Sequence, residues 1–343
     1  MRRFFLGRKN YKLAAVSSNV IYPNSSAIIR PAIFKKTDLS KIQGVQKETS
    51  FDHEYLRING GEISLAPTTS YVLENVIASD GNIYKSNMKY VLRNYSDKIF
   101  IDNTYKDFSS VCLMSSYMGC KYFGHWMRDD LSKYLAAVDI DTPISCLNNQ
   151  TIHQTSYQKI FGIQPELYSS GTIKKLTILE DYSQNEYKRQ RYQFLRDVVG
   201  LNYKKSDKKG VMILRGASGT DRDLLNEQQV AEYLSGNGFE IVDISCSSVD
   251  EIIEKCRVDI VVSVEGSHLG NCIYPINDGG CIVTIQPPNR FNNVYKDYTD
   301  CMGMNYGFIV GDNKAGEPGF TVKLRDIADI LDRVEGTIYR RHV

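Results

Sequence analysis

The chain has 343 residues, 42% hydrophobic and 24% charged, and its 42 Lys plus Arg against 40 Asp plus Glu give a formal net charge of +2. That composition excludes disordered and fibrous classes, allows two domains, and supplies no global basic field for nucleic acid. Eight cysteines without a C-x-x-C pair read as reduced thiols rather than as zinc ligands or a disulfide framework.

The start, MRRFFLGRKNYKLAAV, has an apolar stretch too short for a secretory signal, and no later run spans a bilayer, so a cytoplasmic protein is expected. Between residues 71 and 100 two β-type runs flank Ser79-Asp80-Gly81-Asn82, which predicts a hairpin. VCLMSSY then reads as a strand, KYFGHWMRDDLSKYLAAV as a helix, TPISCL as a strand and TSYQKIFGI as a second helix. The stretch EYKRQRYQFLRD (186–197), like Phe4 and Phe5 beside Arg2 and Arg3, offers a peripheral contact with an anionic membrane, the plainer reading being a solvated helix face. LNYKKSDKKG (201–210) is the linker candidate.

From Gly210 the pattern is regular: GVMILRG, FEIVDIS, VDIVVSV and GCIVTIQP alternate as strands with the helical stretches NEQQVAEYLSGNG, SSVDEIIEKCR and SHLGNCIYPI. Near-continuous Ile/Val strands alternating with helices predict a parallel sheet covered on both faces, a Rossmann-like domain. YGFIV adds a strand, and an amphipathic helix over about 323–340 closes the chain. The expected fold class is α/β, with an N-terminal domain over 1–205, a ligand-binding domain over 206–320, and a C-terminal helix (321–343) packing back toward the first domain.

Three clusters carry candidate chemistry. In ILRGASGTDRDLLNE, Arg215 ends a strand, a small-residue loop follows, and Arg222, Asn226 and Glu227 lie where a helix begins. Two guanidiniums around such a loop suit a diphosphate, or else pair with Asp221, Asp223 or Glu227. In VEGSHLGN (264–271), Gly266 and Ser267 let a ligand approach the backbone and the helix expected to start there offers its N-terminal dipole. His268 can donate to a phosphate, Glu265 can accept from sugar or ribose hydroxyls, and Asn271 follows. In YFGHWMRDDLSKY, Phe123, Met127, Leu131 and Tyr134 form an apolar stripe while His125, Arg128, Asp129 and Ser132 share another face. His125 and Asp129 can meet as a general-base pair or as a plain surface pair. Asp139-x-Asp141, a metal-binding spacing in some transferases, precedes a strand instead of ending one.

In order and spacing the three clusters resemble glycosyltransferase family 61. Its H-[FW]-x-x-D helix is matched by His125-Trp126-Met127-Arg128-Asp129, its R-x-[IL]-x-N-E segment by residues 222–227, and its strand-end Gly and His with a downstream Asn by residues 265–271. One departure is the EGSHL sequence, with Glu265 before the glycine and Ser267 before the histidine. The resemblance implies a GT-B fold of two Rossmann-like domains facing a cleft. It also implies an inverting reaction that needs no metal or other cofactor, with a nucleotide-sugar donor and a growing bacterial surface glycan, of capsule or O-antigen type, as acceptor. Donor binding then falls to Arg215, Arg222, Asn226, Glu227, Glu265, Gly266, Ser267, His268 and Asn271, and base catalysis to Asp129 acting with His125. Rival readings are a polysaccharide pyruvyl- or phospho-group transferase and a non-catalytic glycan-binding protein.

Overall fold

The computed structural model describes residues 10–93, 105–146, 150–215, 222–314 and 316–339. They form two compact units, Met1–Ser25 with Leu65–Leu195, and Ser26–Ser64 with Arg196–Val343. A single cut near residue 205 therefore does not describe the chain, because an early segment joins the C-terminal unit and the second boundary falls inside a helix.

The chain begins with α1 (Tyr11–Ala14) and β1 (Ser17–Tyr22). Next come β2 (Ser25–Ile29), α2 (Phe51–Asn59) and β3 (Gly61–Leu65), which lie almost wholly in the second unit. The first unit resumes with β4 (Thr68–Ser79), β5 (Asn82–Lys85), β6 (Met88–Tyr90) and β7 (Phe108–Leu113). The hairpin predicted around Asp80-Gly81 is present: both residues have positive φ, 47° and 74°, and Ser79 pairs with Asn82. After β7 come α3 (Tyr117–Lys121), α4 (Phe123–His125), a π-helical turn (Trp126–Asp130), α5 (Leu131–Val138), β8 (Pro143–Cys146), α6 (Ile152–Phe161), β9 (Glu166–Tyr168), β10 (Gly171–Glu180) and α7 (Glu186–Asn202).

These strands make an eight-stranded sheet in the order β6-β5-β4-β10-β7-β8-β9, with β1 also on β4. β10, β7, β8 and β9 run parallel, whereas β1, β4, β5 and β6 are joined by antiparallel pairings. The first unit is thus mixed α/β, with the antiparallel strands forming its β-rich entry and a parallel run following. Tight hairpin turns join β4 to β5 and β5 to β6, and such turns connect only antiparallel neighbours.

In the second unit β11 (Gly210–Leu214), α8 (Glu227–Gly236), β12 (Phe239–Asp243), α9 (Val249–Lys255), β13 (Ile260–Val264), β14 (Cys281–Gln286), α10 (Val294–Cys301) and β15 (Asn305–Val310) alternate as the sequence predicts. β16 (Asp312–Asn313), β17 (Phe320–Thr321) and α11 (Leu324–Ile338) follow. The five strands β12-β11-β13-β14-β15 are all parallel. Every residue of β13, β14 and β15 is buried, as befits a sheet covered on both faces. In this order the chain moves from β11 to one side at β12 and returns to the other at β13, which puts a topological switch point between the carboxyl ends of β11 and β13.

Two expectations change here. SHLGNCIYPI forms a six-residue 3₁₀ helix (Ser267–Cys272) followed by turns, because Gly270 weakens an α-helix from within and Pro275 lacks a donor. The final helix, expected to pack back toward the first domain, buries Ile327, Ile330, Leu331, Val334 and Ile338 in the core that holds Val262, Val283 and Ile309 of its own unit's sheet. The early segment belongs to the same unit: Ile33 bridges Gly307, Val45 bridges Phe291, and Arg57 is clamped on Asp297 and Glu54.

All eight cysteines are free thiols. No helix among the described residues is long and apolar enough to cross a membrane. Phe4, Phe5, Arg2 and Arg3 lie outside the described residues. In α7, however, Lys188, Arg191 and Arg196 are buried along one stripe with Tyr192, Leu195 and Val199, and of its four cations Arg189 alone lies on the solvated face.

Candidate functional site

The second unit gathers its charged side chains at the carboxyl ends of β11, β13 and β14. Arg215 follows β11 directly, Glu265 through His268 follow β13, and Arg290 lies in the loop after β14. Glu265 is only 3% exposed. Its carboxylate pairs with Arg222 and lies 3.5 Å from Arg290 Nη1. Its backbone carbonyl accepts from Arg222 Nη1 at 2.7 Å and Arg215 Nη1 at 3.3 Å. Burial raises the Glu265 pKa, and the attraction of Arg222, Arg290 and Arg215 offsets part of that rise. Burial, and then the Arg222 guanidinium, lower the Arg215 pKa, against the attraction of Glu265 and Asp223. Three guanidiniums thus gather on the carboxylate and carbonyl of Glu265, at the switch point where parallel sheets bind ligands. Arg222 Nε is also buried with no hydrogen-bond partner among the described residues, an unmet donor in the same cluster.

His268, expected to donate to a phosphate, engages Ser263 through its Nε2. Ser263 Oγ donates to the carbonyl of Ile213 at 2.6 Å, so the 2.7 Å contact with His268 Nε2 has the ring donating to the hydroxyl. Burial, Arg215 and Arg222 push the imidazole pKa down to about 3, and the ring is neutral at ordinary pH. Gly266 is required by space: a Cβ there would lie 2.5 Å from Arg215 Nη1 and 2.8 Å from the His268 ring. Tyr295 Oη donates to the Gly266 carbonyl at 3.0 Å, and Asn271 Nδ2 donates to the His268 carbonyl at 2.8 Å, fixing the turn. Ser267 opens the 3₁₀ helix, which is shorter than the helix whose dipole was expected to cradle a phosphate.

Two of the residues assigned to donor binding, Asn226 and Glu227, make contacts within the fold. Both ends of the Asn226 amide engage the backbone of Val322, Nδ2 donating to its carbonyl at 2.8 Å and Oδ1 accepting from its amide at 3.1 Å. Glu227 Oε1 accepts from the Arg215 amide at 2.9 Å and so braces the strand end. The Arg222 partner is Glu265 and not Asp223 or Glu227; Asp221 and the rest of the small-residue loop (216–221) lie outside the described residues. Arg290 is the residue that sequence reasoning missed. It follows β14 much as Arg215 follows β11, and a scan of every strand end in the parallel sheet would have found it.

In the first unit, His125, Arg128 and Asp129 cluster on the π-helical turn. The predicted single helix is interrupted at Tyr122, whose backbone is extended, and Leu131 N then bonds to the carbonyl of Trp126, five residues back. Asp129 Oδ2 lies 2.9 Å from His125 Nδ1 and 3.0 Å from Arg128 Nη2, while Oδ1 accepts from Lys188 Nζ at 2.9 Å. Burial alone would raise the Asp129 pKa; Arg128, Lys188 and His125 outweigh it and hold the carboxyl well below the usual range. An ionised carboxylate only accepts, so the His125 Nδ1–H donates to it, and in the neutral ring Nε2 carries the lone pair. Nε2 has no hydrogen-bond partner among the described residues, and the His125 side chain is 25% exposed. A carboxylate that orients one imidazole nitrogen and leaves the other open is a general-base arrangement.

Behind this pair lies a buried network with no counterpart in the sequence reading. Lys188 Nζ also donates to the carbonyl of Asp181, whose carboxylate accepts two bonds from Arg191 at 2.8 and 2.9 Å. Asp130 accepts from Ser116 N and Oγ, and Gly119 leaves room for it, since a Cβ there would sit 2.0 Å from Asp130 Oδ2. Asp141, from the Asp139-x-Asp141 pair, accepts from Ser110 Oγ and from the amide of Thr142. Among the described residues no group of three or more His, Cys, Asp and Glu side chains gathers as a metal-ligand set.

The second unit is a parallel α/β sheet with arginines at its switch point, and the first unit, mixed α/β, carries a histidine hydrogen-bonded to a buried carboxylate. Residues 123–283 match the family described as Glycosyltransferase 61, and the match supports glycosyltransferase activity with a sugar donor and a glycan acceptor. The matched stretch runs from Phe123 into β14, so it holds both His125–Asp129 and Arg215–His268 but stops short of Arg290. No curated protein matches the chain.

Proposed function

We propose that the protein is an inverting glycosyltransferase of the GT-B class, acting in the cytoplasm on a growing bacterial surface glycan of capsule or O-antigen type. The observation that carries this reading is the cluster of Arg215, Arg222 and Arg290 around the ends of β11, β13 and β14, which suits the diphosphate of a nucleotide sugar. In the proposed single displacement, His125 Nε2 takes the proton of the acceptor hydroxyl as its oxygen attacks the anomeric carbon. The bond from that carbon to the donor phosphate breaks on the opposite face, and the electron pair leaves with the nucleotide. The arginines stabilise the charge that develops there, a role a divalent metal fills in other transferases, so no metal or other cofactor is assigned. Asp129 orients His125 instead of acting as the base itself, because a carboxylate held this acidic by Arg128, Lys188 and His125 is a poor proton acceptor.

Calorimetric titration with UDP, GDP and CMP in the presence of EDTA tests the donor site. Binding of at least one is expected, and binding of none overturns the reading. Release of a nucleotide from a nucleotide sugar, with the anomeric configuration of the product read by NMR, separates this reaction from pyruvyl or phosphate transfer and tests inversion.

A further inference from the structure

The Lys188 side chain is 0% exposed, and its ammonium lies 2.9 Å from Asp129 Oδ1 and 3.0 Å from the backbone carbonyl of Asp181. Burying an ammonium is costly, and apolar side chains in place of a buried ion pair commonly leave a fold as stable or more so. This one is placed against the carboxylate behind the proposed base. Its own position does not depend on Asp129. Asn185 Oδ1 accepts from the Lys188 amide at 3.1 Å and Asn185 Nδ2 donates to Thr68 Oγ1 at 3.0 Å, which fixes the start of α7 against β4. One turn on, Arg191 donates to the Asp181 carboxylate and, at 3.1 Å, to the carbonyl of Ser132 on α5. Residues three apart share a helix face, so this clamp also directs Lys188.

The partners of Asp129 then divide by origin. His125 and Arg128 come from its own helical stretch, and Arg128 meets both oxygens, Nε at 3.2 Å from Oδ1 and Nη2 at 3.0 Å from Oδ2. Among the described residues Lys188 is the partner that reaches Asp129 from another element, and its bond is to Oδ1. With Oδ1 held from α7, Oδ2 is turned to His125 Nδ1. We infer that Lys188 is a positioning residue of the transfer reaction: it anchors one oxygen of Asp129 so that the other fixes the His125 ring with Nε2 toward the acceptor hydroxyl. This rests on the base assignment above and adds to it the group that sets the geometry and strength of that base. The charge matters as well as the bond. Burial works against ionised Asp129, and Arg128, Lys188 and His125 hold its pKa well below the usual range. An ammonium this close to the pair disfavours an added proton, so without it the pair stays protonated to higher pH. The other charged groups nearby are Asp181 with Arg191, and Asp130 with Lys133 at 3.9 Å. Burial pushes the Asp130 pKa up to about 6, so its titration has to be told apart from that of the base.

The test is the pH profile of UDP, GDP or CMP release from the corresponding nucleotide sugars by the wild type, Lys188→Met, Lys188→Arg and His125→Ala. K188M is expected to lose about 10- to 100-fold in kcat with donor KM within about threefold, a part of the 10²- to 10⁴-fold that a general base contributes. Its acid limb in kcat/KM should move up by about one pH unit, while K188R keeps the wild-type limb and recovers part of kcat. A purely structural lysine would lower activity equally at every pH. An unmoved limb in K188M, or wild-type kcat, therefore overturns the inference and leaves the donor site and the base standing. A limb that persists in the residual turnover of H125A belongs to Asp130 and overturns it too. No release by the wild type, or full activity in H125A, removes the base and this inference together. Should K188M fail to fold, Lys188→Gln, which keeps an amide donor without the charge, is read in the same way.

Discussion

Asp129 sits largely buried among Arg128, Lys188 and His125, and its value to the protein is as a fixed negative charge. His125→Ala is expected to cut turnover about 10²- to 10⁴-fold, the usual range for loss of a general base, in a nucleotide-release assay. Asp129→Asn is expected to lower turnover through a misoriented imidazole, and full activity in both variants would refute the pair. The same substitution removes the carboxylate paired with buried Lys188 and should cost about 3–5 kcal/mol of stability at neutral pH. Because the folded pKa of Asp129 is depressed, the stability it contributes is complete above its unfolded value of about 4. That contribution fades as pH falls through the lower folded value. Chemical denaturation at pH 7 and pH 3 should therefore show the gap between wild type and D129N narrowing at the lower pH.

At the scale of elements, the junction between α8 and the β17–α11 connection hangs on one amide. Asn226→Ala removes both bonds to the Val322 backbone, and a loss of about 1–3 kcal/mol is expected in thermal unfolding, with nucleotide affinity within about threefold of wild type. A large loss of affinity at unchanged stability would return Asn226 to the binding site. The same residue shows where sequence reading reaches its limit. The second unit's strands and helices were legible because Ile/Val runs and 3.6-residue periodicity report burial directly, and the strand-end arginines and VEGSHLGN were legible because ligand sites occur at such ends. Whether a polar side chain at that end meets a ligand or a backbone across the fold depends on long-range placement, which put Val322 beside Asn226 and Glu265 beside Arg222. Periodicity likewise could not show the π-helical turn, since Leu131 differs from an α-helical residue only by bonding five positions back. The buried cations of α7 were missed because Lys and Arg count as solvent-facing until their carboxylates, Asp129 and Asp181, are located.

At the scale of the molecule, the second unit is discontinuous in sequence. Ile33 donates its amide to the carbonyl of Tyr306 on the edge strand β15, Glu54 accepts from Asn293 N, and Arg57 grips Asp297, so the early segment pairs with the sheet's edge and ties down α10. A fragment spanning 196–343 is expected to be aggregation-prone and to unfold without cooperativity. The same fragment with 26–64 fused through a flexible linker should melt as a single transition in calorimetry. A cooperative melt of the shorter fragment would show that the early segment is an ornament and not part of the core.

That bridge between Ile33 and Gly307 also sets a schedule for birth on the ribosome. At ~5–20 residues per second, roughly 15 to 55 s separate the emergence of the two partners. Throughout that interval Glu54 and Arg57 of α2, buried in the folded protein, wait without Asn293 and Asp297, their partners at α10. A nascent chain in that condition is the natural client of a holdase, and slowing translation should lower the soluble yield of this protein more than that of one whose domains close in the order they are made.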